Sequence, residues 1–228
     1  MSRSIESPEN AARIARRSRL GAPLPRDFYD RPTELVAREL LGAVLVCDTP
    51  DGRASGRIVE TEAYLGPHDA AAHSAVGRTE RNWWLFGPPG RAYVYYIYGV
   101  HWCANAVTRE DGHGSAVLIR ALEPLEGIDL MRVRRRDPKR DRDLANGPGK
   151  LCAALGITGA YDGAPLFGRG ALTIRRGVDI ADSGVAVSPR IGITRAADWP
   201  MRFFVRDSVH VTRTPRAFAI TDYHRRDA

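Results

Sequence analysis

The sequence predicts one mixed α+β domain, and three observations carry that prediction. Short apolar runs rich in β-branched and aromatic residues recur along the chain, helical patterns interrupt them, and no linker, repeat or low-complexity tract divides the 228 residues. A chain of this length buries roughly 70% of its unfolded surface and needs no staples to fold.

The elements follow in order. Residues 1–24 are polar, carry Arg3, Arg13, Arg16, Arg17 and Arg19, and end in Pro23-Leu24-Pro25. They read as a flexible basic N-terminal arm, and without an apolar core they are no secretory signal. Residues 25–228 are expected to form the single domain. Pro32 to Leu41 reads as a helix, with Pro32 in its first turn, Val36 and Leu40 on one face and Gly42 after its end. Ala43–Cys47 is a strand, Asp51-Gly52 a hairpin turn, and Gly56–Leu65 a second strand. The Gly/Pro/His-containing connection 66–90 lacks a periodic element, and connections of that length are often functional. Ala92–Ile97 and Trp102–Val107 form a hairpin with Tyr98-Gly99 at its protruding tip. Ala116–Ala121 is a buried strand and Pro124 to Arg136 a helix. Residues 134–143 hold six cations against three aspartates and read as a solvated loop. Gly147-Pro148 opens a short helix with Leu151, Ala154 and Leu155 on one face, closed by Gly156; strands and turns fill 172–211.

Composition narrows the function. Lys plus Arg is 34 against 27 Asp plus Glu, a formal net charge of +7. Only Lys139 and Lys150 are lysines. The summed positive potential favours an anionic partner. No run of about 18 apolar residues predicts a membrane span. Cys47, Cys103 and Cys152 are odd in number and far apart, which argues for a reducing, cytoplasmic setting and against a disulfide framework. No CxxC pair suggests zinc or an iron–sulfur cluster.

Four segments carry candidate chemistry. In Arg57-Ile-Val-Glu60-Thr-Glu62-Ala-Tyr64, strand alternation puts Glu60, Glu62 and Tyr64 on one side. Two carboxylates beside an aromatic offer a base and a stacking surface; an exposed edge strand with solvated glutamates is the alternative. His68, Asp69 and His73 invite a metal, but their spacing is not the i,i+4 pair of a helical site, and packing or hydrogen bonding is the commoner use of such histidines. Four of the eight tyrosines, Tyr93, Tyr95, Tyr96 and Tyr98, fall within six positions. Tyr98 at the turn is a candidate wedge between stacked bases, and Asn105 on the returning strand needs a reason to be there. Gly147-Pro-Gly-Lys150 lacks the spacing of a nucleoside-triphosphate loop; it caps a helix or grips a backbone phosphate.

Five strings in one order resemble the alkyladenine (methylpurine) DNA glycosylase family. They are Gly56–Pro67 with Ala71-Ala-His73-Ser74, Tyr93-Val-Tyr95, Ile97-Tyr98-Gly99, Arg120–Gly127, and Gly147-Pro148 with Lys150-Leu-Cys152, within a match from about Arg31 to Val205. The resemblance implies a single α+β domain with a curved antiparallel sheet, surrounding helices and a projecting hairpin. It implies a monofunctional enzyme of base excision repair that flips damaged purines out of duplex DNA and hydrolyses the N-glycosidic bond, with no metal or organic cofactor. Glu62 would be the general base and Arg120 would help hold the water, with a backbone carbonyl near Ile193. Tyr64, His73 and Tyr95 would wall the base pocket, Asn105 would stand on its floor, and Tyr98 would fill the gap in the duplex. Lys150 and Arg81 are candidates for the DNA backbone. Double-stranded DNA with damaged purines is the expected partner, of a monomer working in the cytoplasm at the nucleoid. The weighed alternatives are a non-catalytic damaged-DNA-binding module of the same fold and a small-molecule glycosidase using Glu60 and Glu62.

Overall fold

The computed structural model describes residues 20–224. Nine strands form one unclosed antiparallel sheet: β1 (Val44–Thr49), β2 (Gly52–Tyr64), β3 (Ala92–Ile97), β4 (His101–Thr108), β5 (Ser115–Glu126), β6 (Leu172–Arg175), β7 (Val185–Ser188), β8 (Arg202–Val205) and β9 (Thr221–Asp222). Three α-helices accompany them: α1 (Thr33–Glu39), α2 (Ile128–Arg134) and α3 (Pro148–Leu155). The order across the sheet is β3-β4-β5-β2-β8-β7-β9, with β1 and β6 branching from the early half of β2. The mixed α+β class and the curved antiparallel sheet expected from the sequence are therefore what forms.

The thirteen-residue β2 organises the molecule. Its first half pairs with β1, Glu60–Glu62 pair with β8, and β5 runs along its other side from Ser55 to Tyr64. Register breaks around Val59 and Glu60 bend this pair, since an unpaired extra residue kinks a strand and increases its twist. The pairing runs Glu60 with Ala121 and then Thr61 with Ile119, which leaves Arg120 without a direct cross-strand partner.

The two faces of the sheet differ. One carries Ala63, Val94, Ala104, Ala106, Val117 and Ile119 into the main apolar core under α1 and α3. Thr61 on that face donates its hydroxyl to the Ala37 carbonyl of α1 at 2.8 Å. The other face carries Tyr93, Asn105, Leu118 and Glu62, which stand in register across β3, β4, β5 and β2.

Three sequence expectations need correcting. The stretch 124–126 is strand, not helix: Pro124 pairs with Gly56 where the register is already irregular, so its missing N–H costs little. The helix begins only at Ile128, after Gly127 at φ 72°, where a side chain would collide with the Arg53 carbonyl. The second strand starts at Gly52, not Gly56, because the hairpin with β1 closes tightly at Pro50-Asp51. Residues 1–19 of the expected arm lie outside the described residues. Residues 21–24 are not free: the Leu24 amide donates to the Ile174 carbonyl, the Arg176 amide to Ala22, and Leu24 is buried. No helix among the described residues is long and apolar enough to cross a membrane.

Candidate active site

The polar face of the sheet floors a cleft of about 590 Å3, within the roughly 300–1,000 Å3 usual for ligand pockets. Its walls come from β2–β5, the 71–73 turn, the start of α3 and the 191–193 loop. Of the residues expected at the site, Tyr64, His73, Tyr95, Tyr98, Asn105, Arg120 and Lys150 all line it. Arg81 does not; its guanidinium donates to the Tyr96 carbonyl at 2.8 Å.

Aromatic rings build one wall. His73 meets Tyr95 edge to face with centroids 4.5 Å apart, and Tyr93 stacks on Tyr95 at 5.2 Å. His73 Nδ1 is 2.9 Å from the Tyr93 hydroxyl. Partial burial against these rings, and then the charge of Arg81, hold the His73 imidazole below its usual range and favour its neutral form. Asn105 donates its amide to the Tyr93 carbonyl at 2.9 Å, which answers why an asparagine stands in this strand. Tyr98 is 80% exposed at the hairpin tip, with φ 52°, so neither packing nor an extended backbone holds it there.

Glu62 stands behind the opposite wall. It is fully buried on a central strand, so the solvated edge-strand alternative fails: β8 and β5 flank it. Its surroundings are polar. Oε1 accepts the Ile191 amide at 2.7 Å; Oε2 accepts the Tyr64 hydroxyl at 3.0 Å and Arg120 Nη1 at 3.2 Å. Those three partners line the cleft, so Glu62 meets it through them. Burial raises the carboxyl above the ordinary range; Arg120 and the Ile191 amide pull it part of the way back, and Glu60 adds to the rise. Arg120 Nη1 also reaches a backbone carbonyl at 3.4 Å, that of Ile191 and not one at Ile193.

Sequence reasoning missed other residues here. Asp69, weighed as a metal ligand, is fully committed elsewhere: it takes two bonds from buried Arg190, at 2.5 and 2.9 Å, and the Leu65 and Ala71 amides at 3.1 Å. Arg190 Cζ sits 4.7 Å from the Tyr64 ring centre and backs that ring. Glu60 and Arg202 form a second buried pair at 2.6 Å. Nothing in a chain so rich in arginine singles out Arg190 or Arg202. Gly149 could have been found, since it opens the glycine-rich helix start. A side chain there would press within 2.8 Å of the His101 ring, another cleft residue. Among the described residues no group of three His, Cys, Asp or Glu could hold a metal.

Comparison with known proteins places this geometry. The family described as methylpurine-DNA glycosylase matches residues 27–209. A protein of Methanocella arvoryzae named "Putative 3-methyladenine DNA glycosylase" is 48% identical over 193 residues, 83% of this chain and 96% of the relative. Proteins of the same name from Myxococcus xanthus and Methanoculleus marisnigri are each 49% identical over 195 residues, covering 84% and 83% of this chain and 94% and 98% of those relatives. The aromatic cleft, its buried glutamate and these matches lead to one conclusion: the chain belongs to the methylpurine-DNA glycosylase family.

Proposed function

We propose that the protein excises alkylated or deaminated purines from duplex DNA by hydrolysis of the N-glycosidic bond, leaving an abasic site. The observation that carries this reading is Glu62, a buried carboxyl whose donors Tyr64, Arg120 and Ile191 are themselves walls of an aromatic cleft. The glycosidic bond lies inside the base stack, so the nucleotide must first rotate out, at a cost of a few kcal/mol. Tyr98 fills the vacated position, and the protein's positive charge on the phosphates offsets the rest.

The flipped base stacks between Tyr64, His73 and Tyr95. An alkylated purine is cationic, which strengthens its attraction to tyrosine faces and makes it a good leaving group. Water, held by Arg120 and the Ile191 carbonyl, gives a proton to Glu62 and its oxygen attacks the sugar's anomeric carbon. The carbon–nitrogen bond breaks with its electron pair going to the departing base. The Glu62 charge also stabilises the cationic sugar in the transition state. Asn105 on the floor disfavours the exocyclic amine of guanine.

Strand cleavage through a lysine Schiff base has weak support. Lys150 lies on the cleft rim, exposed and bonded to Asn146 at 2.8 Å, and not in a dry pocket that would free its amine. Lys150 and Arg81 face the phosphates instead. On this reading the protein acts as a monomer and works in the cytoplasm on the nucleoid.

A duplex carrying one hypoxanthine or ethenoadenine tests this reading. Base release followed by strand scission in alkali is expected. Scission without alkali overturns the monofunctional assignment, and tight binding without base release makes the protein a recognition module.

A further inference from the structure

The chemistry proposed for Glu62 leaves its buried neighbour Glu60 without a task, yet Glu60 accepts as many hydrogen bonds as Glu62, three, and two of them come from arginines. Its Oε1 accepts from Arg202 Nε at 2.6 Å and Arg120 Nε at 3.2 Å, and its Oε2 accepts the Thr212 amide at 2.6 Å. Arg202 is fully buried and anchored in turn. Its Nη1 donates to the hydroxyls of Ser188 and Thr214 at 2.9 and 3.1 Å, and its Nη2 donates to the Thr212 carbonyl at 3.2 Å. Glu62, Arg120, Glu60 and Arg202 thus form a buried line of four charges that alternate in sign.

Arg120 occupies the middle of that line. The strand ladder does not orient it, because the register skips it. Its contacts to Glu62 and Ile191 go through Nη1 alone, and a guanidinium held at one nitrogen pivots. The Glu60 contact at Nε supplies the second point of attachment. We propose that Glu60 is a positioning residue: clamped by Arg202 and the Thr212 amide, it fixes Arg120 so that Nη1 faces Glu62 and the Ile191 carbonyl, and it shares the Arg120 charge so that Glu62 stays basic. This rests on the reading of Glu62 as base and Arg120 as its partner.

The charge-sharing half follows from Coulomb attraction, which is strong where water is excluded. The groups around Glu62 are Arg120 on β5, Arg202 opposite it on β8, Glu60 and Tyr64 on β2, Cys103 on β4, Tyr95 on β3, and Arg190 and the Ile191 amide from the 189–201 loop. Of these Glu60 is the only other carboxylate. Removing its charge leaves Arg120 to act on Glu62 alone, so Glu62 holds its proton less firmly and is a weaker base.

The test compares wild type, Glu60→Gln, the double variant Glu60→Gln/Arg202→Met and Glu62→Gln in single-turnover release of hypoxanthine from a duplex, from acid to neutral pH. The double variant removes both charges of the clamp and so keeps the interior neutral if the single variant is unstable; thermal unfolding reports the folded fraction. For both Glu60 variants the base-release rate per folded molecule is expected to fall about tenfold to a hundredfold, the loss usual for misplaced catalytic geometry. Half-saturating enzyme concentration stays within about twofold, and the acid limb of the Glu60→Gln profile moves to lower pH. A purely structural role lowers the folded fraction and leaves the limb in place, which overturns the proposal, as do wild-type rates in folded variants. If Glu62→Gln releases base at the native rate, the catalytic reading itself falls. If it is inactive while the Glu60 variants behave as wild type, only the positioning role falls.

Discussion

Asp69 and Glu62 are both fully buried carboxylates facing a buried arginine, seven residues apart in sequence. Asp69 binds Arg190 through both oxygens at 2.5 and 2.9 Å and takes two backbone amides as well. Glu62 touches Arg120 through one oxygen at 3.2 Å and shares it with Glu60. The consequences for proton affinity are opposite. Burial alone would raise Asp69, but the Arg190 bonds and the two amides outweigh it and hold the carboxyl below its usual range. At Glu62 burial wins and the carboxyl rises. A saturated, two-point contact makes a strut; a long, shared contact leaves basicity to spare.

That contrast can be broken or sharpened by experiment. Glu62→Gln is expected to lower base release by about 100- to 10,000-fold, the usual worth of a general base, while the melting temperature changes little. Asp69→Asn is expected to do the reverse. It leaves Arg190 buried and uncompensated, at about 3–5 kcal/mol of stability by denaturant unfolding, and it reduces the rate per folded molecule far less. If Asp69→Asn cost no stability, the strut reading would be wrong.

The pH dependences should separate too. As the proposed base, Glu62 would have to be ionised to act, so with its raised proton affinity the acid limb of the rate profile is expected above the ordinary carboxylate range. Asp69 has a lowered folded value, so its stabilisation is present above its unfolded value and is lost only as pH falls through the folded one. Activity therefore fails at a higher pH than stability does. Circular dichroism and single-turnover rates on the same samples check this; coincident midpoints would refute it. The smallest effect is reserved for the hairpin tip, which touches neither pair. Tyr98→Ala should weaken lesion-duplex binding by about 1–3 kcal/mol, the worth of one stacked ring, and weaken single-strand binding less. Both acid midpoints should stay where they were.

The sequence made the hairpin, the aromatic wall and Glu62 legible, because strand alternation in 57–64 and the tyrosine cluster place side chains by local geometry alone. What it hid depends on distance along the chain. Arg190 and Arg202 meet Asp69 and Glu60 across 121 and 142 residues, and among so many arginines no local pattern marks them. The strand through Pro124 reads as a helix because Pro and the following apolar periodicity imitate a helix start. Only pairing with Gly56 decides otherwise.

The Thr212 amide that closes over Glu60 has a consequence for how the protein is made. Glu60 is synthesised early, and this donor arrives 152 residues later. A chain clipped before this segment would keep the long β2–β5 pairing while Glu60 lacked this donor.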